Sequence, residues 1–427
     1  MLRRLALCLM PVAALAGPLP DPVTDADYAP VDPAQAALGR LLFYDPILSG
    51  NREVACATCH HPRFATSDGL ALGLGDGGRG LGPERAADPA NPPEQRIPRN
   101  APALFNLGAR EFTVLFHDGR IEADPARPSG LRTPMGAEME EGFASLLSAQ
   151  TMFPVLSADE MAGHYSENEV ARAVRRGVIT GEGGAWDLLA ARVRAAPGYA
   201  APFEAAFPGR EVTFTAISDA VAAFMAAEWR SDGSPFDAHL RGEAPLTGAA
   251  AEGMALFYGA AGCAACHGGP FQTDHGFHAA GAPQIGPGKA ARFERHARDT
   301  GRQRVTGDPA DAHAFRTPSL RNVTRTGPWG HAGAHADLRA FLLHHADPAG
   351  EWPRDAPLPD LPVEDWRVAD DPAETAAIRD AAGTGRPLAP AEADALLAFL
   401  AALEDPVALA GRTPVPDAVP SGLPVPR

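Results

Sequence analysis

Cys56-Ala57-Thr58-Cys59-His60 and Cys263-Ala264-Ala265-Cys266-His267 decide how the chain is read. Each is a Cys-x-x-Cys-His run, the attachment signature of c-type haem. Two thiols three positions apart on one turn both reach the vinyl groups of a porphyrin and form thioethers. The histidine that follows is then held against the iron as its proximal ligand. A redox dithiol, or half of a zinc site, uses the same cysteine spacing. Two copies, each with the adjacent histidine, use every cysteine except Cys8, which favours haem over both alternatives. Two c-type haems are expected, held by Cys56, Cys59 and His60 and by Cys263, Cys266 and His267.

The chain has 427 residues, enough for two or three domains with proper cores, and its 45% hydrophobic content is that of a globular protein. Gly 44 and Pro 43 are both high, as expected of long ordered loops wrapped around large cofactors. Arg3 and Arg4, the apolar run 5–15 and Ala14-Leu15-Ala16 read as a secretory signal over residues 1–16, with Cys8 inside it. That run is too short to span a bilayer. The expectation is an exported, periplasmic protein without membrane insertion. A formal net charge of −16 is poor for nucleic acid and anionic membranes. It either steers a basic redox partner or serves solubility.

Residues 18–33 form a Pro/Asp-rich lead-in, and 34–43 read as a helix stopped by Pro46. Residues 66–99, rich in Gly, Pro and charge, read as an extended loop along a haem edge. Helical periodicity is clearest in 167–177, 185–195, 215–229 and 390–403. In 215–229 one face carries Ala220, Val221, Phe224, Met225 and Glu228, and Met225 is read as core rather than as an iron ligand. Residues 231–247 read as an interdomain linker, and strand patterning is almost absent.

The second half repeats the first in order. Gly39-x-x-Leu42-Phe43-Tyr44 recurs as Gly253-x-x-Leu256-Phe257-Tyr258 at an offset of 214, and the haem motifs at 207. Pro102-x-Leu104-x-Asn106 recurs as Pro318-x-Leu320-x-Asn322 at 216, and His117-x-Gly119 as His331-x-Gly333 at 214. The expected fold is mainly α: two tandem cytochrome c-like domains, each with one covalently bound c-type haem, joined by long loops. They would span 17–235 and 236–410, with a Pro-rich tail at 411–427.

With these landmarks the chain resembles the bacterial dihaem cytochrome c peroxidase family, which includes the MauG-type maturation enzymes. The resemblance is carried by LGRLLFYDPILSG, CATCH, RNAPALFN, FHDGR, SLLSAQ followed by DEM, AGCAACH, FRTPSLRN and GPWGHAG, from about residue 38 to 345. It implies a peroxidatic N-terminal haem and a C-terminal haem that takes up electrons from a small cytochrome c or a cupredoxin. It also implies that Gln150 and Glu160 stand over the peroxidatic iron. A sheltered carboxylate can move a peroxide proton to the far oxygen, and an amide can orient the peroxide. From residue type alone, Ser157-x-x-Glu160 reads as a helix capping box. The family further places a calcium ion between the haems, which here maps to Asn100, Thr326 and Pro328. Those oxygen donors suit a hard cation; Asn100 alone reads as a turn residue. A homodimer is a further possibility from the family.

The chain departs from the family pattern at three places. Residues 62–99 contain neither His nor Met, so no histidine from that loop caps the first iron, and its distal side is expected to be open. His117 replaces the tryptophan that relays electrons between the haems. His117 is thus the electron relay candidate by position, but imidazole is harder to oxidise than indole, and iron ligation, a propionate contact or a structural hydrogen bond are its alternative roles. Fourteen residues after His331, where the family has methionine or tyrosine as the second haem's distal ligand, stands His345, beside His344. His275, His278, His296 and His313 are irregularly spaced and read as loop or propionate contacts. The reading is a cytochrome-c-type peroxidase acting on hydrogen peroxide. Its rivals are a MauG-like oxidase of a protein substrate and a dihaem electron carrier.

Overall fold

The structure, a computed structural model, describes residues 17–164, 166–289 and 294–427. The expected signal, with Cys8, lies outside the described residues.

Pro33–Tyr44 starts with a proline at its first position and with Asp32 accepting hydrogen bonds from the amides of Ala34 and Gln35. It packs on Phe214–Glu228, which Thr213 caps through the amide of Ala216. The crossing is close because Gly39 has no side chain. A Cβ there would fall on the Ala220 carbonyl oxygen and 2.9 Å from Phe224 Cβ. Gly248–Phe257 meets Pro390–Ala401 in the same way. A Cβ at Gly253 would fall on the Ala395 carbonyl and 2.8 Å from Phe399 Cβ. The aromatic contacts match too: Phe43–Phe224 at 5.3 Å and 56°, Phe257–Phe399 at 5.1 Å and 56°.

The Pro-x-Leu-x-Asn repeat has an equally specific cause. Asn106 and Asn322 both have φ +61°, a conformation asparagine tolerates. Their amides donate to the carbonyls of Trp229 and Leu403 respectively, one and two positions past the packed helix. Their Oδ1 atoms accept from the amides of Ser231 (2.7 Å) and Asp405 (2.7 Å). Both asparagines also hold Ser231, Asn106 through its carbonyl and Asn322 through its hydroxyl. The 231–247 stretch therefore differs from the expected linker: it begins as a buried joint and continues as Pro235–Leu240, with Phe236 and Asp237 buried.

The other predicted helices appear as Glu169–Arg175 and Ala185–Ala195. Met225 is buried in the apolar core. Strands are short and form three small antiparallel sheets among the described residues. The largest apolar cluster surrounds the 33–44, 185–195 and 214–228 helices, and another surrounds the 248–257 and 390–401 helices. A third, of Ala71, Leu72, Ile285, Ala332 and Ala334, joins the loop after the first haem motif to the second half. The tail is no loose appendage. Val419 is buried in the first cluster, Ser421 Oγ donates to Asp45 (2.6 Å), and Thr413 is bound by Glu228. Among the described residues no helix is long and apolar enough to cross a membrane.

Candidate active site

Cys56–Cys59 forms a single helical turn, and Cys263–Ala265 a tighter one. The four cysteines of these motifs are free of disulfides. Burial pushes Cys56 and Cys59 up to about 12 and Cys263 to about 11, so these free thiols are protonated at neutral pH. His60 Nδ1 lies 2.9 Å from the Thr66 carbonyl, and His267 Nδ1 lies 3.2 Å from the Gln272 carbonyl. An Nδ1–H donated to a carbonyl leaves Nε2 with its lone pair free, the state a metal-ligating histidine adopts. Burial keeps both rings neutral, and it lowers His267, with His345 adding to the effect, to about 4.

His345 lies on Leu338–Ala346, capped by Asp337. Its ring centroid stands 6.2 Å from that of His267, and Phe341 backs it at 5.6 Å. Two imidazoles sharing one ion through bonds of roughly 2.0 Å would have centroids about 6 Å apart. The pair thus fits a single iron between the rings. His344 turns elsewhere, with Nε2 3.1 Å from the Gly281 carbonyl.

Glu160 sits in Ala158–Ala162, a π-helical turn rather than the start of a capped α-helix. The expected capping box is absent, since Ser157 makes no side-chain cap bond. Instead the Ser157 carbonyl accepts from the amides of Glu160, Met161 and Ala162 at 3.2, 3.0 and 2.9 Å, and its hydroxyl bonds the Glu160 carboxyl. Turns of this kind are concentrated at functional sites. Burial raises the Glu160 pKa; Lys289 and Arg120 oppose that. The loop after the first haem motif lies against it. A Cβ at Gly75 would be 2.6 Å from Glu160 Cα, and the Asp76 amide donates to the Glu160 carbonyl at 2.9 Å. Gln150 is the penultimate residue of the Ser145-capped helix Leu146–Thr151, with Oε1 buried and without a partner. Only the turn Pro154–Leu156 separates this helix from the Glu160 turn.

His117 follows Phe116, whose φ is +66°. Burial, then Arg99, His331 and Arg316, hold its pKa well below the usual range, so the ring is neutral. Its carbonyl accepts from the Arg316 amide at 2.7 Å. Close by, Arg99 donates to Asp118 (2.8 Å) and twice to Asp299 (2.6 and 2.7 Å). His331 stacks on Phe315 at 4.0 Å, and neither ring nitrogen has a partner. Of the calcium candidates, Asn100 is buried and gives Nδ2 to the Leu70 carbonyl (2.8 Å), which leaves Oδ1 for a cation. The Thr326 hydroxyl donates to the Val323 carbonyl at 3.2 Å.

The profile of the di-haem cytochrome c peroxidase family matches residues 33–245. The chain is 31% identical to the methylamine utilization protein MauG of Methylorubrum extorquens, over 76% of this chain and 72% of that one. It is 27% identical to the cytochrome c551 peroxidase of Pseudomonas aeruginosa, over 77% of this chain and 76% of that one. Its fold matches the crystal structure of a MauG-like protein associated with microbial copper homeostasis, with a TM-score of 0.58 and 26% identity over 95% of this chain and 97% of that one. The chain belongs to the di-haem cytochrome c peroxidase family.

Membership implies two c-type haems, and the paired cysteines and the carbonyl-oriented His60 and His267 suit them. The four scattered histidines do not form one site. His275 pairs with Glu111 (2.9 Å), His278 with Asp274 (2.8 Å), and His296 lies 3.9 Å from Glu294. Cys266, Asp274 and His278 do bring ligand atoms within 4.8 Å of one another, but Cys266 belongs to the second Cys-x-x-Cys-His motif. Three features of this chain were not read from the sequence. Lys289 and Arg120 reach the field of Glu160 from distant segments, and no local pattern announces them. His335 packs against His344 at 5.0 Å with both ring nitrogens unpartnered; its signal was a fourth histidine in the 331–345 stretch.

Proposed function

We propose that this chain is a periplasmic peroxidase that reduces hydrogen peroxide to water with electrons from a small c-type cytochrome or a cupredoxin. When bound, the haem at Cys56, Cys59 and His60 supplies the iron at which peroxide reacts, and the haem at Cys263, Cys266 and His267 supplies the entry point for electrons. His60 and His267 orient their Nε2 atoms through Nδ1 bonds to backbone carbonyls, and His345, facing His267, would supply a second protein ligand to the same iron. Glu160 takes the proton from the near oxygen of peroxide and returns it to the far one. Its burial favours holding that proton, while Lys289 and Arg120 keep the carboxylate form accessible. Gln150, whose Oε1 has no protein partner, orients the peroxide. Asn100, with the Thr326 and Pro328 carbonyls, holds a calcium ion. The two units run from 17 to 235 and from 236 to 410, and the duplicated Gly39 and Gly253 crossings support that division.

The observation that carries the proposal is Glu160 on its π-turn, in the joint field of burial, Lys289 and Arg120. An electron carrier needs no such proton-handling group. Glu160→Gln is expected to keep both haem spectra and to lose peroxide turnover by on the order of 10²-fold; turnover near the wild-type rate would remove Glu160 from the mechanism. A second reading, oxidation of a protein substrate as in MauG-like relatives, is favoured by the absence of His and Met from 62–99 and by His345 standing where the peroxidases carry a methionine ligand.

A further inference from the structure

Beside the Glu160 turn, three segments bring oxygen-bearing side chains to one place. Asp76 is wholly buried, and its Oδ2 accepts from Asn51 Nδ2 at 2.8 Å. The same Asn51 Nδ2 donates to Glu167 Oε1, which also accepts the His164 amide at 3.1 Å. Asn91 Nδ2 reaches Glu167 Oε2 at 3.4 Å, and Asn168 Nδ2 ties Asn51 Oδ1 (2.9 Å) to the Ala162 carbonyl (2.9 Å). Gly163, at φ +88°, leaves the room. A Cβ there would lie 2.7 Å from Asn168 Nδ2, 2.8 Å from Glu167 Oε1 and 3.0 Å from Asn51 Nδ2.

The two carboxylates lie within hydrogen-bonding reach of each other. Among the described residues no lysine, arginine or histidine forms an ion pair with either. Asp76 Oδ1 is moreover buried without any partner. A buried carboxylate oxygen left unpaired beside a second carboxylate is costly unless a proton or a cation enters.

We propose that Asp76 and Glu167 bind a hard divalent cation of the calcium class, with Asn51, Asn91 and Asn168 bracing them. All the donors are oxygens, as such an ion prefers, and the exposed side of Glu167 leaves room for the waters that complete its shell. The ion gives Asp76 Oδ1 its missing partner and cancels the repulsion that, with burial, otherwise pushes Asp76 up to about 7. This site is separate from the Asn100 candidate. It cross-links residue 51, just before the first haem motif, residue 76 of the loop after it, and Glu167 and Asn168, which follow the Glu160 turn in sequence. Because the Asp76 amide donates to the Glu160 carbonyl, occupancy stiffens the backbone that carries Glu160. The site itself does not depend on the reaction proposed above.

Calcium bound per chain, measured on chelator-treated holoprotein titrated with Ca²⁺ alone, tests this. Glu167→Gln, a change at an exposed position, is expected to lose one equivalent or bind it about tenfold more weakly or worse. Asp76→Asn should do the same, whereas Asn100→Ala should leave that equivalent in place. Ca²⁺ should also raise the thermal midpoint of the wild type more than that of Glu167→Gln. If Glu167→Gln binds as many ions as tightly as the wild type, or Ca²⁺ stabilises both alike, a shared proton joins the carboxylates and the proposal fails.

Discussion

At the scale of single residues, His345 and Glu160 show how surroundings turn an ordinary side chain into a specific one. His344 and His345 are adjacent on one helix, yet only His345 faces His267, at a centroid distance of 6.2 Å, while His344 is spent on the Gly281 carbonyl. His345→Ala should therefore convert one low-spin haem to high-spin in the EPR spectrum, and His344→Ala should not; the opposite pattern would move the axial ligand to His344. The sequence made His345 legible through its register from His331, and Glu160 through its spacing from Gln150. It did not show Lys289, because a cation brought in from the second half leaves no local pattern. The Asp76–Glu167 contact was hidden for the same reason.

At the scale of elements, amphipathic spacing located the helices well, since apolar residues at three and four positions must bury one face. The repeat was legible as letters, and the structure supplies its cause in a helix crossing too close for a Cβ. Gly39→Ala should cost about 1–3 kcal/mol of stability as the crossing is forced apart, read as a lower midpoint in denaturant, and Gly253→Ala should behave alike. A loss within error at either position would contradict the close-approach role. Two elements were misread. Ser157 and Glu160 have the right letters for a capping box, but three amides converge on the Ser157 carbonyl and wind a π-turn instead. The polar, proline-containing 231–247 stretch looked like a linker, whereas Asn106 and Asn322, far away in sequence, both anchor Ser231.

At the scale of the whole molecule, the halves are locked by charge as well as by apolar contact. Arg99 and Asp118 of the first half meet Asp299 of the second, and Arg96 pairs with Asp365 at 2.7 Å. Removing one partner of such a buried set, as in Arg99→Met, should cost about 3–5 kcal/mol at neutral pH. Despite burial, Arg99 and Arg120 hold Asp118 at about 2, below its ordinary 3.8. Its contribution is thus complete above pH 4 and disappears as the pH falls through 2. The stability gap between wild type and Arg99→Met, from denaturant midpoints, should narrow between pH 4 and 2; a constant gap would show that this pairing does not support the acid stability.

The most direct test of peroxide reduction is steady-state peroxide consumption by the purified holoprotein, with a reduced small cytochrome c as donor and no prior reduction of the enzyme. Immediate, sustained turnover is the predicted result, because residues 62–99 carry no histidine or methionine that must first leave the iron. A spectrum that peroxide changes for minutes while the donor stays reduced would contradict it and point to a protein substrate. No spectral response at all would leave only an electron carrier.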